Sequence, residues 1–108
     1  MTYVKEATPI EVGQWLTDEN AVLIDVREDD EVRRAAVPDA RHLPLSRFEV
    51  ASMEGHEGRK VVFLCAHGVR SYQIGQHLLD NGILDEAYSV TGGIMAWAAA
   101  GLRVEAAA

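Results

Sequence analysis

The stretch Lys60-Val61-Val62-Phe63-Leu64-Cys65-Ala66-His67-Gly68-Val69-Arg70-Ser71 decides the fold. Behind Lys60 runs an apolar segment led by two β-branched residues and without polar alternation, the pattern of a strand covered on both faces. From Ser71 to Asn81 the period becomes helical, with Ile74, Leu78 and Leu79 on one stripe and Gly82 as the stop. Cys65 to Arg70 forms the loop between them. A buried strand feeding a helix through a short loop is the repeating unit of α/β domains.

Upstream the same alternation recurs. Thr8-Pro9-Ile10-Glu11 reads as a helix start: Thr8 caps, Pro9 suits the first helical position and Glu11 completes the capping box. That helix is expected to reach about Thr17 and to bury Ile10, Val12 or Gly13, and Leu16. Ala21 to Val26 reads as a second buried strand. Glu28 to Ala35 is a charged helical turn stopped near Pro38, Arg41 to Leu45 is extended with Pro44 at its end, and Ser46 is expected to cap a short helix to about Met53. Downstream, Ala87 to Val90 is a third strand, Gly92-Gly93 turns tightly into a helix through Trp97, and Gly101 ends it. Strands alternating with helices predict an α/β fold with a largely parallel central sheet. One domain over residues 1–108 is expected, with its core at about 8–102 and a frayed tail at 103–108.

The chain has 108 residues, 10 basic and 17 acidic side chains, and a formal net charge of −7. That balance argues against nucleic acid and anionic membranes, which call for clustered Lys and Arg. It leaves room for a small anionic substrate, because a local field can oppose the global one. The single cysteine forbids an internal disulfide and a cysteine-rich zinc site. His42, His56 and His77 are scattered, so no metal is implied, and no organic cofactor either. No apolar run approaches the ~20 residues of a spanning helix. Met1-Thr2-Tyr3-Val4-Lys5-Glu6 lacks the pattern of a secretory signal, so a cytoplasmic protein is expected.

The thiol stands where a buried strand ends and a helix is about to begin. In open α/β sheets, ligands gather outside the carboxyl ends of the strands. The following helix N-terminus offers free N–H groups and a positive dipole end. Gly68 lets the loop curl so that successive amides face inward, Arg70 adds a permanent positive charge and His67 a titratable one. All of these favour thiolate over thiol, and such surroundings lower a cysteine pKa from ~8.5 to ~3.5–7.5. Cys65 is therefore the candidate nucleophile. A lone cysteine is often only a small buried hydrophobe; the strand–Cys–Gly–Arg–helix arrangement tips the balance toward function.

Asp25 ends its strand beside this loop. It either orients Arg70 or a loop amide, or caps the next turn and pairs with a nearby cation; the second reading is favoured. Arg27 and Glu31 are spaced to pair across one helical turn. Arg70 either contacts an oxyanion or braces the loop through a carboxylate. His67 is expected to face solvent or substrate. Glu28-Asp29-Asp30-Glu31 reads as a solvated acidic face, or a dock for a basic partner, and Trp15 and Trp97 read as core.

Three separated motifs resemble the rhodanese (sulfurtransferase) family. They are Leu23-Ile24-Asp25-Val26-Arg27 with Glu31, Cys65-Ala66-His67-Gly68-Val69-Arg70-Ser71, and Val90-Thr91-Gly92-Gly93-Ile94-Met95-Ala96-Trp97 with Gly101-Leu102. They lie in the expected order over nearly the whole chain, which is similar in length to the stand-alone single-domain thiosulfate sulfurtransferases. The resemblance implies a rhodanese-like fold, a parallel sheet of about five strands with helices on both faces. It implies that Cys65 takes the outer sulfur of thiosulfate or a similar donor and passes it, as a persulfide, to cyanide or a thiol. The amides of Ala66, His67, Gly68, Val69 and Arg70 would cradle that sulfur, with Asp25 and Ser71 in support. Partners would be a small anionic sulfur donor, a thiol or cyanide acceptor, and a thioredoxin-like or other sulfur-relay protein, with the chain itself a monomer or weak dimer. Two positions depart from the family pattern: Ala66 stands where many active members carry a basic residue, and Ala35-Ala36 replaces the usual Gly-His before Val37-Pro38.

A cysteine–arginine loop ahead of a helix also serves phosphatases and arsenate reductases. Those loops place five residues between the two, because the cradle surrounds a phosphoryl group. Here four intervene, which suits a single sulfur atom better. A sulfur carrier or a non-catalytic partner-binding module is the alternative of a different class; the presence of Cys65 counts against the non-catalytic form.

Overall fold

A computed structural model describes residues 1–106 of the chain. The elements in order are β1 (Lys5–Ala7), α1 (Pro9–Thr17), β2 (Ala21–Asp25), α2 (Asp29–Arg34), β3 (Arg41–His42), β4 (Lys60–Leu64), α3 (Val69–Asp80), β5 (Tyr88–Val90) and α4 (Gly93–Ala99). Two 3-10 turns, Leu45–Arg47 and Val50–Met53, fill the stretch between β3 and β4. The sheet has five strands in the order β1-β5-β4-β2-β3, every neighbouring pair parallel. The fold is α/β, as the alternation predicts.

The central strands read as continuous apolar runs because both faces of the sheet are covered. Leu23, Val62, Leu64, Tyr88 and Val90 turn to one face, where Val12, Trp15, Ile94 and Trp97 of α1 and α4 meet them. Ile24, Val61 and Phe63 turn to the other, against Leu78, Leu79, Tyr72 and Ile74 of α3 and Met53 of the second 3-10 turn. Alternate residues of one strand thus serve opposite cores. Trp15 packs edge-on against Tyr88 with ring centroids 5.1 Å apart, so both tryptophans are core residues as expected. Among the described residues, no helix is long and apolar enough to cross a membrane.

Four local expectations are corrected. Ile10 is 59% exposed; α1 begins at Pro9, and Pro9 and Val12 set its inward face, which rotates Ile10 to solvent. Ser46 caps no helix, because its hydroxyl donates to Glu28 instead, and extended backbone at Phe48 and Glu49 breaks the segment into two 3-10 turns. The strand Lys5–Ala7 was not expected: its exposed Lys5 and Glu6 leave only Ala7 of the strand in the core, so its pattern is weak. The tail expected to fray from residue 103 is tied down as far as Glu105, which exchanges backbone hydrogen bonds of 2.8 and 2.7 Å with Ala36, while Trp97 Nε1 donates to the Arg103 carbonyl. Ala107 and Ala108 lie outside the described residues.

The chain leaves β2 toward β3 on one side and leaves β4 toward β5 on the other. The crevice between the carboxyl ends of β2 and β4 is therefore the topological switch point where α/β sheets collect ligands. Asp25 ends β2 there, and Cys65 follows β4 directly.

Candidate active site

Cys65 is only 1% exposed as a residue, and its side chain borders the apolar cluster of Phe63 and Leu78. Its sulfur nevertheless has polar company. The amides of Gly68 and Ser71 donate to Sγ at 3.1 and 3.3 Å, and the Ser71 hydroxyl lies 3.3 Å away. Gly68 adopts φ +100°, a conformation that L side chains rarely adopt, and this aims its own N–H back at the sulfur. Burial pushes the thiol pKa up. The Ser71 hydroxyl and the amides of Ser71, Gly68 and His67 push it down and prevail, so Cys65 lies below its ordinary value.

Around the bare thiol, Ser71, expected in support, joins Gly68 as a direct partner of the sulfur. No hydrogen bond from the amides of Ala66, Val69 or Arg70 reaches the bare sulfur among the described residues; Ser71 supplies both an amide and a hydroxyl. α3 begins at Val69, two residues earlier than the sequence suggests, so Ser71 is the third residue of the helix and its amide is one of the free donors of the first turn. Ser71 is fully buried and shares a 2.7 Å hydrogen bond with Ser89 of β5. A thiolate can only accept, so with ionised Cys65 the Ser71 hydroxyl donates to sulfur and the Ser89 hydroxyl donates to Ser71. His67 is exposed, as expected, and contributes its backbone amide.

The helix after β5 closes the other side of the loop. Ile94 N donates to the Cys65 carbonyl at 2.8 Å and Met95 N to the Ala66 carbonyl at 3.3 Å. Two of the otherwise orphaned amides of α4 are thereby satisfied, and the loop carbonyls are held away from the sulfur. Gly92-Gly93 is more than a tight turn: it permits this approach.

Asp25 takes the structural role. It is buried with Arg27, whose backbone amide, Nε and Nη2 all donate to its carboxylate, the last at 2.7 Å. Arg27 also donates to the carbonyls of Glu31 within α2 and Ala35 at its C-terminal end, bracing that helix. Asp25 therefore orients neither Arg70 nor a loop amide directly. The expected Arg27–Glu31 side-chain pair is absent, because Glu31 turns to Arg70 and accepts from Nη1 and Nη2 at 2.7 and 2.8 Å. The Arg70 guanidinium holds the Glu31 carboxyl down to about 2. The acidic run is not simply solvated: Asp29 pairs with Arg47, Asp30 with Arg34, Glu28 accepts from Ser46 and Glu31 binds Arg70. A separate groove of about 430 Å³, lined by Gly13, Leu16, Val37, Trp97, Leu102 and Arg103 among others, does not include Cys65.

The rhodanese-like domain family model matches residues 8–100. The chain is 35% identical over 104 residues to a sulfurtransferase of Allochromatium vinosum, covering 95% of this chain and 96% of that one. It is 33% identical over 102 residues to the thiosulfate sulfurtransferase GlpE of Actinobacillus succinogenes, covering 94% and 91%. Among solved structures, Rv0390 from M. tuberculosis aligns with a TM-score of 0.73 at 26% identity over 96% of this chain and 98% of that one. A thiosulfate sulfurtransferase from Pseudomonas aeruginosa shares the fold with a TM-score of 0.78 at 24% identity, covering 97% of this chain and 21% of that one. The chain belongs to the rhodanese-like domain family, and its relatives are sulfurtransferases.

Proposed function

We propose that this protein is a sulfurtransferase that moves sulfane sulfur from thiosulfate or a similar donor to cyanide or a thiol through a persulfide on Cys65. The observation that carries this reading is the pair of amides, from Gly68 and Ser71, aimed at a sulfur that stands at the switch point of the sheet. In the first half-reaction the Cys65 thiolate attacks the outer sulfur of the donor. A bond forms between Sγ and that sulfur while the donor's S–S bond breaks, its electron pair leaving with the remainder of the donor. In the second half-reaction the acceptor's lone pair attacks the terminal sulfur and the Cys65 thiolate departs. The same amides serve both leaving and attacking forms, because each places negative charge on sulfur. Dividing the transfer into two displacements predicts ping-pong kinetics.

Support comes from the family, from the named activity of its relatives, and from the lowered pKa of Cys65. Thiolate attack on sulfur is fastest when an appreciable thiolate fraction exists at the working pH. A reducing cytoplasm, with a thioredoxin-like protein as acceptor, fits a chain whose one cysteine must return to the thiolate after each cycle. Mass spectrometry of the intact protein after mixing with donor tests the reading. A gain of one sulfur atom that is removed by cyanide and absent from Cys65→Ser supports it; no gain with any sulfane donor refutes it.

A further inference from the structure

The charge around Cys65 bears on which donor the site accepts. Attack on thiosulfate brings a dianion to a thiolate and gathers three negative charges at the loop. Attack on an alkyl persulfide brings at most one negative charge, that of its ionised form RSS⁻: Cys65–S⁻ and RSSH yield Cys65–SSH and RS⁻, with one S–S bond made and one broken. A cation beside the sulfur would be needed to favour the first reaction.

The loop's permanent cation is Arg70, and it is already committed. Both terminal nitrogens of its guanidinium are engaged by the two Glu31 oxygens in a fork-to-fork pair. That carboxylate cancels most of the field the guanidinium would offer an incoming anion. Ala66 supplies no charge next to Cys65. The flanks of the loop are apolar instead. Val69, the first residue of α3, is 64% exposed, and Met95 is 60% exposed on the turn of α4 whose amide holds the Ala66 carbonyl. A sulfonate seated there would lose water without gaining a free cation, whereas an alkyl thiol body would gain apolar contact.

We propose that Glu31, by neutralising Arg70, is a specificity-determining residue that sets this site for uncharged or singly charged persulfide donors in preference to thiosulfate. The proposal rests on the sulfurtransferase reading and names its donor class.

The test compares kcat/KM for thiosulfate and for a simple alkyl persulfide, with cyanide as the common acceptor, in the wild type, Glu31→Gln and Ala66→Lys. The wild type is expected to favour the persulfide by roughly a hundredfold, the scale of an unbalanced pair of charges near a protein surface. Glu31→Gln frees the Arg70 guanidinium and is expected to raise kcat/KM for thiosulfate about five- to tenfold, chiefly through KM, with the persulfide value nearly unchanged. Ala66→Lys adds a cation with the Glu31–Arg70 pair intact, so it carries the test should Glu31→Gln fold poorly, and the same gain is expected. A gain confined to one donor is not what a merely structural role would produce. Equal or better use of thiosulfate by the wild type, or a donor ratio that neither variant moves, overturns the proposal while leaving sulfur transfer intact. Sulfur reaching Cys65 from neither donor overturns both.

Discussion

Gly93 lies so close to Cys65 that a Cβ at its position would stand 2.4 Å from the Cys65 carbonyl oxygen, and equally close to that of Ala66. The α4 N-terminus is therefore seated directly on the loop that carries the thiol. Gly93 also has φ +63°, so a side chain there meets backbone on one side and strain on the other. Gly93→Ala is expected to lower stability by roughly 2–4 kcal/mol and to cut sulfur transfer more than tenfold in the protein that remains folded. Urea unfolding and steady-state kinetics on the same preparation check it.

Asp25 is expected to matter through folding. Asp25→Asn leaves Arg27 buried without its counter-charge, at a cost of about 3–5 kcal/mol. That is a large share of the ~5–15 kcal/mol that holds a domain together. The expected result is a much lower unfolding midpoint, with the thiolate titration of any folded fraction close to that of the wild type. A shifted Cys65 titration at unchanged stability would assign Asp25 to the site instead.

Ser71→Ala removes the hydroxyl but keeps the amide that donates to Cys65. The thiolate loses one charge-assisted hydrogen bond, about 1.5–3 kcal/mol, so the Cys65 pKa is expected to rise. The Ser89 hydroxyl is left without its 2.7 Å partner, which adds a modest stability loss. The pH profile of the first half-reaction should move to higher pH, with a smaller effect well above the new pKa.

The Glu31–Arg70 pair gives stability a defined pH dependence. The Glu31 carboxyl is held at about 2 in the folded chain, whereas an unfolded glutamate titrates near ~4.3. The depressed folded value means the contribution is fully present above that unfolded value and fades as pH falls toward 2. With Arg70 partly exposed and screened, the pair is worth on the order of 1 kcal/mol. Urea midpoints of the wild type and Glu31→Gln should differ by a constant amount above about pH 5 and converge as pH approaches 2.

What the sequence disclosed was what depends on local pattern. The capping box at Thr8 and Glu11 forms as its spacing requires, and the apolar run after Lys60 becomes the central strand because burial on both faces tolerates no polar alternation. The Cys65 loop was legible for the same reason: strand, glycine and helix start are contiguous. The Glu31–Arg70 pair was not, since 39 residues separate its members and nothing local favours Arg70 over Arg27 as the partner of Glu31. Gly93 was visible as a turn residue, but its closeness to Cys65 arises only when β4 and β5 lie side by side. Ser89 was hidden within a three-residue strand, where a serine reads as an ordinary interior residue.

Inward-facing amides and the Ser71 hydroxyl are aimed at a sulfur at the end of β4 that they would hold as an anion. Because Cys65 is the only cysteine, the ultraviolet absorbance of its thiolate, followed against pH with Cys65→Ser as the blank, reports this one ionisation. An inflection clearly below the ~8.5 of free cysteine is predicted; an inflection at or above that value would mean that these donors do not stabilise a thiolate.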